Sequence, residues 1–119
     1  MSAASDLYEE MAQKRRELSA CIRQLRLNGS ALAEAERAYK IKLREHVLRM
    51  RAEDTAVGVI QLTVYGIPEV ADLRFKRDVA KVVYDANQDA VNATKLEMRI
   101  IEAQTAREYS SPDLGTGGM

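Results

Sequence analysis

The stretch from Val70 to Thr105, VADLRFKRDVAKVVYDANQDAVNATKLEMRIIEAQT, decides the fold of this 119-residue chain. One row of residues recurs along it at alternating spacings of three and four. The row consists of Val70, Leu73, Arg77, Ala80, Tyr84, Asn87, Val91, Thr94, Met98, Ile101 and Thr105. An average repeat of 3.5 residues is typical of a helix that packs lengthwise against another helix. The stretch therefore predicts a long helix, from about residue 68 to about residue 109, with a second helix beside it.

A second row with the same spacing runs through the first half of the chain. Its members are Leu7, Met11, Leu18, Ile22, Leu25, Leu32, Ala35, Tyr39, Leu43, Val47 and Met50, and Lys14 and Gly29 fill the two gaps. The row predicts a helix from about residue 6 to about residue 52, with Asp6 as its N-cap.

The pair Asn28-Gly29 is the weak point of this first helix. Glycine is disfavoured in a helix interior by about 1 kcal/mol relative to alanine. The spacing nevertheless keeps its phase across the pair, and a turn would have no reason to preserve it. We expect a continuous helix; the alternative is a short N-terminal helix over residues 5–28 that folds back.

The segment Ala56 to Tyr65, AVGVIQLTVY, is open to two interpretations. Its β-branched residues favour a strand, which would have to pair across a dimer. We favour a short helix over about residues 56–65, with Gly66 as a left-handed C-terminal residue and Pro68 at the start of the last helix. Residues 110–119 are rich in glycine, so we expect a disordered tail there.

These patterns predict one all-α domain over residues 1–109. We expect an elongated antiparallel helical hairpin of a long, a short and a long helix. The last helix also carries a second apolar row, formed by Val79, Val83, Ala86, Ala90, Ala93 and Ile100. Because one partner helix covers only a narrow stripe, a second row predicts a homodimer, as a four-helix bundle or coiled coil. The candidate residues of the dimer or hairpin seam are Leu43, Val47, Ala80, Val83, Tyr84, Asn87, Val91, Met98 and Ile101.

The chain offers little for chemistry. It has one cysteine and one histidine, too few for an intrachain disulfide or a metal cluster. It also lacks a phosphate-binding loop and any known nucleophile or metal-ligand motif. We therefore expect no catalytic residue, no cofactor and no bound metal. Without a signal peptide or an apolar run of membrane-spanning length, we expect a cytoplasmic protein with no membrane partner.

Basic residues gather where the two long helices should meet at the closed end of the hairpin. They are Lys40, Arg44, Arg49, Arg51, Arg74, Lys76 and Arg77, and we take them as candidates for binding a protein partner or nucleic acid. Formal net charge is zero, so the global attraction of strongly basic nucleic-acid binders is missing. The simpler interpretation is a solvated end neutralised by Glu53, Asp54, Glu69 and Asp72.

About two thirds of the chain resembles small, uncharacterised helical-hairpin proteins of phages and prophages of Gram-positive bacteria. The resembling segments are Ala33–Tyr39, Leu48–Glu53, Val70–Val79 and Leu96–Glu102. Glu108-Tyr109 matches the family's ending of a glutamate and an aromatic residue, whereas Glu53-Asp54 stands where a glycine is usual. The resemblance implies a phage origin, a small accessory role in the host cytoplasm and no catalytic residues.

The function expected from the sequence is therefore non-enzymatic. We expect a phage accessory protein that binds a host or phage protein through a dimeric helical scaffold, in counter-defence or in modulation of replication or recombination. Two alternatives remain open: a nucleic-acid-binding accessory factor that uses the basic end, and a structural protein of the virion or its assembly.

Overall fold

A computed structural model of the chain describes residues 3–117, with the side chains of residue 3 and residues 5–110. Three α-helices account for nearly all of it: α1 (Ala3–Ala52), α2 (Val57–Thr63) and α3 (Pro68–Gly117). A 3-10 turn, Val64–Gly66, follows α2, and the described residues contain no strand. The all-α prediction and its order of long, short and long helices are confirmed, and the strand alternative for residues 56–65 is wrong.

The chain divides into two compact units. The terminal unit consists of Met1–Leu25 and Asn87–Met119, and the central unit is Arg26–Ala86. Each unit thus contains one segment of α1, one segment of α3 and, in the central unit, the whole of α2.

Within each unit the segments of α1 and α3 run antiparallel. In the terminal unit Lys14 forms an ion pair with Glu97, and Asn87 Nδ2 donates to the Cys21 carbonyl oxygen at 3.2 Å. In the central unit the Tyr84 ring lies beside Gly29, and His46 Nε2 lies 3.0 Å from Glu69 Oε2. Within each unit the earlier residue of α1 pairs with the later residue of α3, as in a hairpin.

Both rows of three-and-four spacing lie on the packed sides of their helices. Every member, from Leu7 to Met50 and from Val70 to Thr105, is buried or half-buried. Eight of the nine predicted seam residues are likewise covered, but Val83 is 46% exposed. Val83 belongs to the second row of α3, on a different side of the helix from the hairpin seam, so of the two predicted places only a dimer seam remains open to it.

α1 is continuous through Asn28-Gly29, as the phase of the spacing predicted. A Cβ at Gly29 would lie 3.4 Å from the Tyr84 ring, so the small residue sits where the tyrosine packs on α1. The loss of helix propensity at Gly29 is therefore offset by contact with a large side chain.

Polar residues within the two rows are satisfied locally, which explains why they do not break the packing. Lys14 pairs with Glu17 as well as Glu97. The Thr94 hydroxyl donates to the Ala90 carbonyl one turn earlier, at 2.9 Å. A buried polar group costs free energy mainly when it lacks a partner, so these residues are tolerated in the seam.

The end of α1 has the hydrogen bonds of a Schellman motif. The Thr55 amide donates to the Met50 carbonyl at 2.9 Å, and the Asp54 amide donates to the Arg51 carbonyl at 3.1 Å. Asp54 has a φ of 60°, the left-handed conformation that this motif requires at the residue after the cap. Aspartate is one of the few residues besides glycine that adopts it routinely.

The left-handed residue predicted at Gly66 is wrong, since no described glycine has a positive φ. The chain instead leaves the 3-10 turn through Ile67, with φ −63° and ψ 124°. A residue before proline is driven to this extended region by clash with the proline ring. Pro68 therefore sets the direction of the chain, and Gly66 has no special conformation to adopt.

The ends of the long helices differ from the predicted ones. α1 begins at Ala3, which places Asp6 in the first turn instead of at the N-cap, where its charge still favours the helix dipole. The backbone of α3 is helical to Gly117, beyond the predicted end near Tyr109 and into the predicted tail. Residues 118 and 119 lie outside the described residues.

Candidate partner-binding site

All seven predicted basic residues lie in the central unit, but the structure uses them in different ways. Arg77 is the most constrained. Its Nη2 lies 2.7 Å from Asp78 Oδ1, and its guanidinium stacks 4.7 Å from the centre of the Tyr39 ring. The hydrogen bonds that Arg77 donates to the Asp78 carboxylate raise the pKa of Arg77 further. Arg77 is therefore occupied in packing Tyr39 between the helices.

Arg74 and Arg49 also have partners within the chain. The Arg74 guanidinium lies 5.0 Å from the centre of the Tyr65 ring, within the range of a cation–π contact. Arg49 Nε lies 4.0 Å from Glu53 Oε1, at the outer limit of an ion pair, and both side chains are exposed. Exposed pairs of this kind contribute at most about 1 kcal/mol, so Arg49 is easily released for another partner.

The other four predicted residues are exposed cations. Among the described residues none of them has an acidic group within 4.0 Å; they are Lys40, Arg44, Arg51 and Lys76. We expected acidic neighbours to neutralise the basic end, but among the described residues these four cations have no acidic partner.

Glu69 was expected to neutralise the predicted basic residues, but its carboxylate pairs with Lys42 and His46 instead. Lys42 Nζ lies 3.1 Å from Glu69 Oε1 and 3.1 Å from Glu45 Oε2. Hydrogen bonds from His46 and then Lys42 lower the pKa of Glu69, and bonds to Glu45 and Glu69 raise the pKa of Lys42.

His46 is a buried polar residue of the central unit. It is 8% exposed, and its Nδ1 has no hydrogen-bond partner among the described residues. Its burial and its hydrogen bond with Glu69 fit the interpretation of His46 as a packed histidine on the flank of α1.

A cleft lies between α1 and α2 in the same unit. It has a volume of about 200 Å³ and is lined by Leu43, Val47, Arg51, Val57, Ile60, Gln61, Val64 and Tyr65. Most of the lining is apolar. Leu43 and Val47 were predicted as seam residues and Arg51 as a binding residue, so the structure brings members of the two predicted sets together here.

The contribution of α2 to this cleft was missed from the sequence. α2 and the turn after it bury only Ile60 and Val64, while Val57, Val59, Leu62 and Tyr65 are all at least 45% exposed. A signal was available: AVGVIQLTVY carries more apolar side chains than a seven-residue helix on a hairpin tip has room to bury.

A second apolar surface lies on α3. We call it the α3 apolar face, formed in the central unit by Phe75, Val79, Val82 and Val83, which are 69%, 45%, 68% and 46% exposed. In the terminal unit the same helix exposes Ala90, Ala93, Leu96 and Ile100. The second row predicted from the sequence is therefore exposed in both units, whereas the first row is covered by α1.

The described part of the chain contains neither a candidate metal site nor a candidate membrane-spanning helix. No three or more of its His, Cys, Asp and Glu side chains are placed to hold a metal ion. No described helix has an apolar stretch of the length and purity that crossing a membrane requires. Searches of protein-family models, curated proteins and solved structures found no match to this chain.

Proposed function

We propose that this chain is a non-enzymatic phage or prophage accessory protein, and that it binds other proteins as a dimeric helical scaffold. The observation that carries the proposal is the α3 apolar face, four large apolar side chains within nine residues of one helix. Monomeric proteins rarely leave such a contiguous patch in water, and exposed patches commonly mark interfaces.

A second copy of the chain is the occupant that fits the α3 apolar face. Burial contributes roughly 25 cal/mol per Å² of apolar surface, so covering four half-exposed side chains contributes a few kcal/mol. Association itself costs about 4 kcal/mol or more, so a stable contact needs a longer row than these four residues. In the terminal unit the second row includes Ala90, Ala93 and Ile100, which are also exposed, and its alanines let a partner helix approach closely.

The phage origin rests on the resemblance of Ala33–Tyr39, Leu48–Glu53, Val70–Val79 and Leu96–Glu102 to phage hairpin proteins. A small helical protein without a catalytic constellation among its described residues is suited to occupying a surface of a larger partner.

Light scattering tests the dimer. We expect the wild-type protein at micromolar concentration to have the mass of two chains. The double variant Val79→Glu/Val83→Glu places two carboxylates on the α3 apolar face and should have the mass of one chain, with an unchanged helical circular dichroism spectrum. The matched control, Gln88→Glu/Asn92→Glu, adds the same charges at the same spacing on another exposed side of α3 and should remain dimeric.

A wild-type protein with the mass of one chain at all accessible concentrations would overturn the dimer. So would a Val79→Glu/Val83→Glu variant that stays dimeric, because the α3 apolar face could not then be the contact.

A nucleic-acid-binding accessory factor is the second candidate function. The observation in its favour is a set of four exposed cations that have no acidic partner among the described side chains, Lys40, Arg44, Arg51 and Lys76. Binding of this kind releases counterions, so affinity for a short DNA duplex should fall steeply as salt rises. An affinity that does not depend on salt would exclude this function.

A further inference from the structure

The cleft between α1 and α2 has the size of a side-chain pocket. Its volume is about 200 Å³. Sites for drug-sized molecules usually occupy about 300–1,000 Å³ and enclose most of the ligand. A cleft below that range suits one or two apolar side chains that project from the surface of another protein.

A basic strip of α1, which we call the basic wall, lies beside the cleft. At 100° per residue, Lys40, Arg44 and Arg51 lie on average about 60° around α1 from Leu43 and Val47, which line the cleft. Arg51 itself lines the cleft. All three cations are exposed and have no acidic side chain within 4.0 Å among the described residues, so the charge along this wall is available to an outside partner.

Arg74 adds a further basic group beside the cleft, through its contact with Tyr65. The Tyr65 ring lines the cleft, and the Arg74 guanidinium rests 5.0 Å from the centre of that ring. The cation thus lies at the α2 side of the cleft while Lys40 and Arg44 lie along α1. Carboxylates on a bound segment would meet positive charge from both long helices.

We propose that this cleft binds an acidic amphipathic helix of a partner protein. Its apolar side chains would enter between Leu43, Val47 and Val57, and its carboxylates would pair with Lys40, Arg44 and Arg51. The proposal rests on the protein-binding function above and names the chemistry of the partner.

The periodicity of the basic wall favours a helical partner. Lys40 and Arg51 lie eleven residues apart in α1, with Arg44 between them, which corresponds to about 16 Å along the helix axis. A helix laid alongside repeats its own acidic positions every three or four residues over the same length. Apolar anchors and carboxylates then occur on neighbouring faces, as in known complexes of amphipathic helices with grooves.

The apolar lining favours protein over nucleic acid. Phosphates would pair with the cations but leave Val57 and the other apolar side chains of the cleft without a partner. Base stacking needs accessible aromatic faces, and the Tyr65 ring already carries Arg74 on one face. Nucleic acid is therefore the competing outcome of the test.

The probe is a fluorescent synthetic peptide of about five helical turns, with leucines on one face and glutamates on the adjacent face. Anisotropy is measured against a peptide of identical composition in scrambled order. We expect the patterned peptide to bind at least about tenfold more tightly than the scrambled one, since only the pattern matches the cleft and its basic wall.

Two variants locate the binding. Lys40→Glu/Arg44→Glu should weaken the patterned peptide by about tenfold or more, and a peptide with lysine in place of glutamate should recover binding to this variant. Leu62→Glu, at an 85% exposed position of α2 that does not line the cleft, should bind as the wild type does. Equal binding of the patterned and scrambled peptides, or binding unaffected by Lys40→Glu/Arg44→Glu, would overturn the proposal.

A short DNA duplex is titrated in parallel. Tighter binding of the duplex than of the peptide, lost in Lys40→Glu/Arg44→Glu, would assign the basic wall to phosphates and overturn the helix proposal. Dimer mass is measured on the same samples. A dimer that ignores the peptide refutes this inference alone, whereas a monomer that still binds the peptide refutes the dimeric scaffold alone.

Discussion

The central and terminal units are built from the same two long helices yet bury their residues differently. The central unit contains α2 and the turn after it, and there Tyr39, His46, Ile60, Val64 and Val70 are buried, with Val70 fully inaccessible. The terminal unit has two helix segments only.

In the terminal unit Val91, Thr94 and Ile101 are the buried residues among those described. Two helices cover each other along a narrow stripe, and their remaining faces stay in water. A short third element is enough to enclose side chains from several directions. The difference shows that a third element buries side chains more completely than two helices alone do.

The largest expected change in stability comes from truncating a buried isoleucine in each unit. Ile60 in the central unit is 4% exposed, and Ile101 in the terminal unit is 3% exposed. We expect Ile60→Ala to lower the free energy of unfolding by about 3 kcal/mol, and Ile101→Ala by about 2 kcal/mol, because two helices close a cavity more easily than three elements do. Urea unfolding at one protein concentration measures both.

Leu62→Ala is the control for this pair. Leu62 lies in the same short helix as Ile60 but is 85% exposed, and its truncation should change stability by less than about 0.5 kcal/mol. A larger loss from Ile101→Ala than from Ile60→Ala would contradict the idea that α2 makes the central unit the better packed one.

The turn that leads into α2 gives an intermediate effect. Asp54 holds a φ of 60°, a conformation that disfavours a residue with a Cβ by about 1 kcal/mol and costs glycine little. Asp54→Gly should therefore raise the free energy of unfolding, by up to about 1 kcal/mol. The measurement is the midpoint of urea unfolding.

Glu53→Gly is the matched control one residue earlier, where φ is not positive. There the extra freedom of glycine in the unfolded chain should lower stability by about 0.5–1 kcal/mol. If both glycine variants change stability in the same direction, the left-handed conformation of Asp54 is not what sets the energy of this turn.

The smallest expected effect is the loss of stability in acid, which one glutamate in each unit should influence. Hydrogen bonds from His46 and Lys42 lower the pKa of Glu69 in the central unit, and those from Lys14 and Gln13 lower the pKa of Glu17 in the terminal unit, both from an ordinary value of 4.5. A lowered pKa in the folded state stabilises the protein above about pH 4.5. That stability is lost as the pH falls through the lowered value.

Melting temperatures at pH 7 and pH 3 measure this effect. Glu69→Gln and Glu17→Gln should each reduce the difference in melting temperature between the two pH values. The change should be small, since both glutamates are largely exposed and water screens their pairs. An unchanged difference in both variants would mean that other carboxylates account for the loss of stability in acid.

Much of the fold could be predicted from the spacing of residues, because helical periodicity is a local property. The rows from Leu7 to Met50 and from Val70 to Thr105 identified the covered side of each long helix. Because the spacing keeps its phase across Gly29, it also predicted correctly that α1 is continuous there. Even the exposed second row of α3 was visible, since Val79, Ala86 and Ile100 recur at helical spacing.

The candidate site was only partly predictable. The seven basic residues were found, and its place in the row already set Arg77 on the packed side of α3. The sequence could not separate Arg74, whose guanidinium lies over the Tyr65 ring, from Arg44, since both lie outside the rows. That distinction depends on which residue of another element faces each guanidinium.

The sequence by itself determined that this chain forms two long helices with apolar seams and a short helix at the closed end, because each of those features follows from periodicity within one segment. The tertiary structure alone decided that the Arg77 guanidinium stacks on the Tyr39 ring and that Arg51 meets Val57 and Tyr65 at a cleft. These outcomes depend on which residues of separate helices come to face each other, and no single segment of the sequence contains that information.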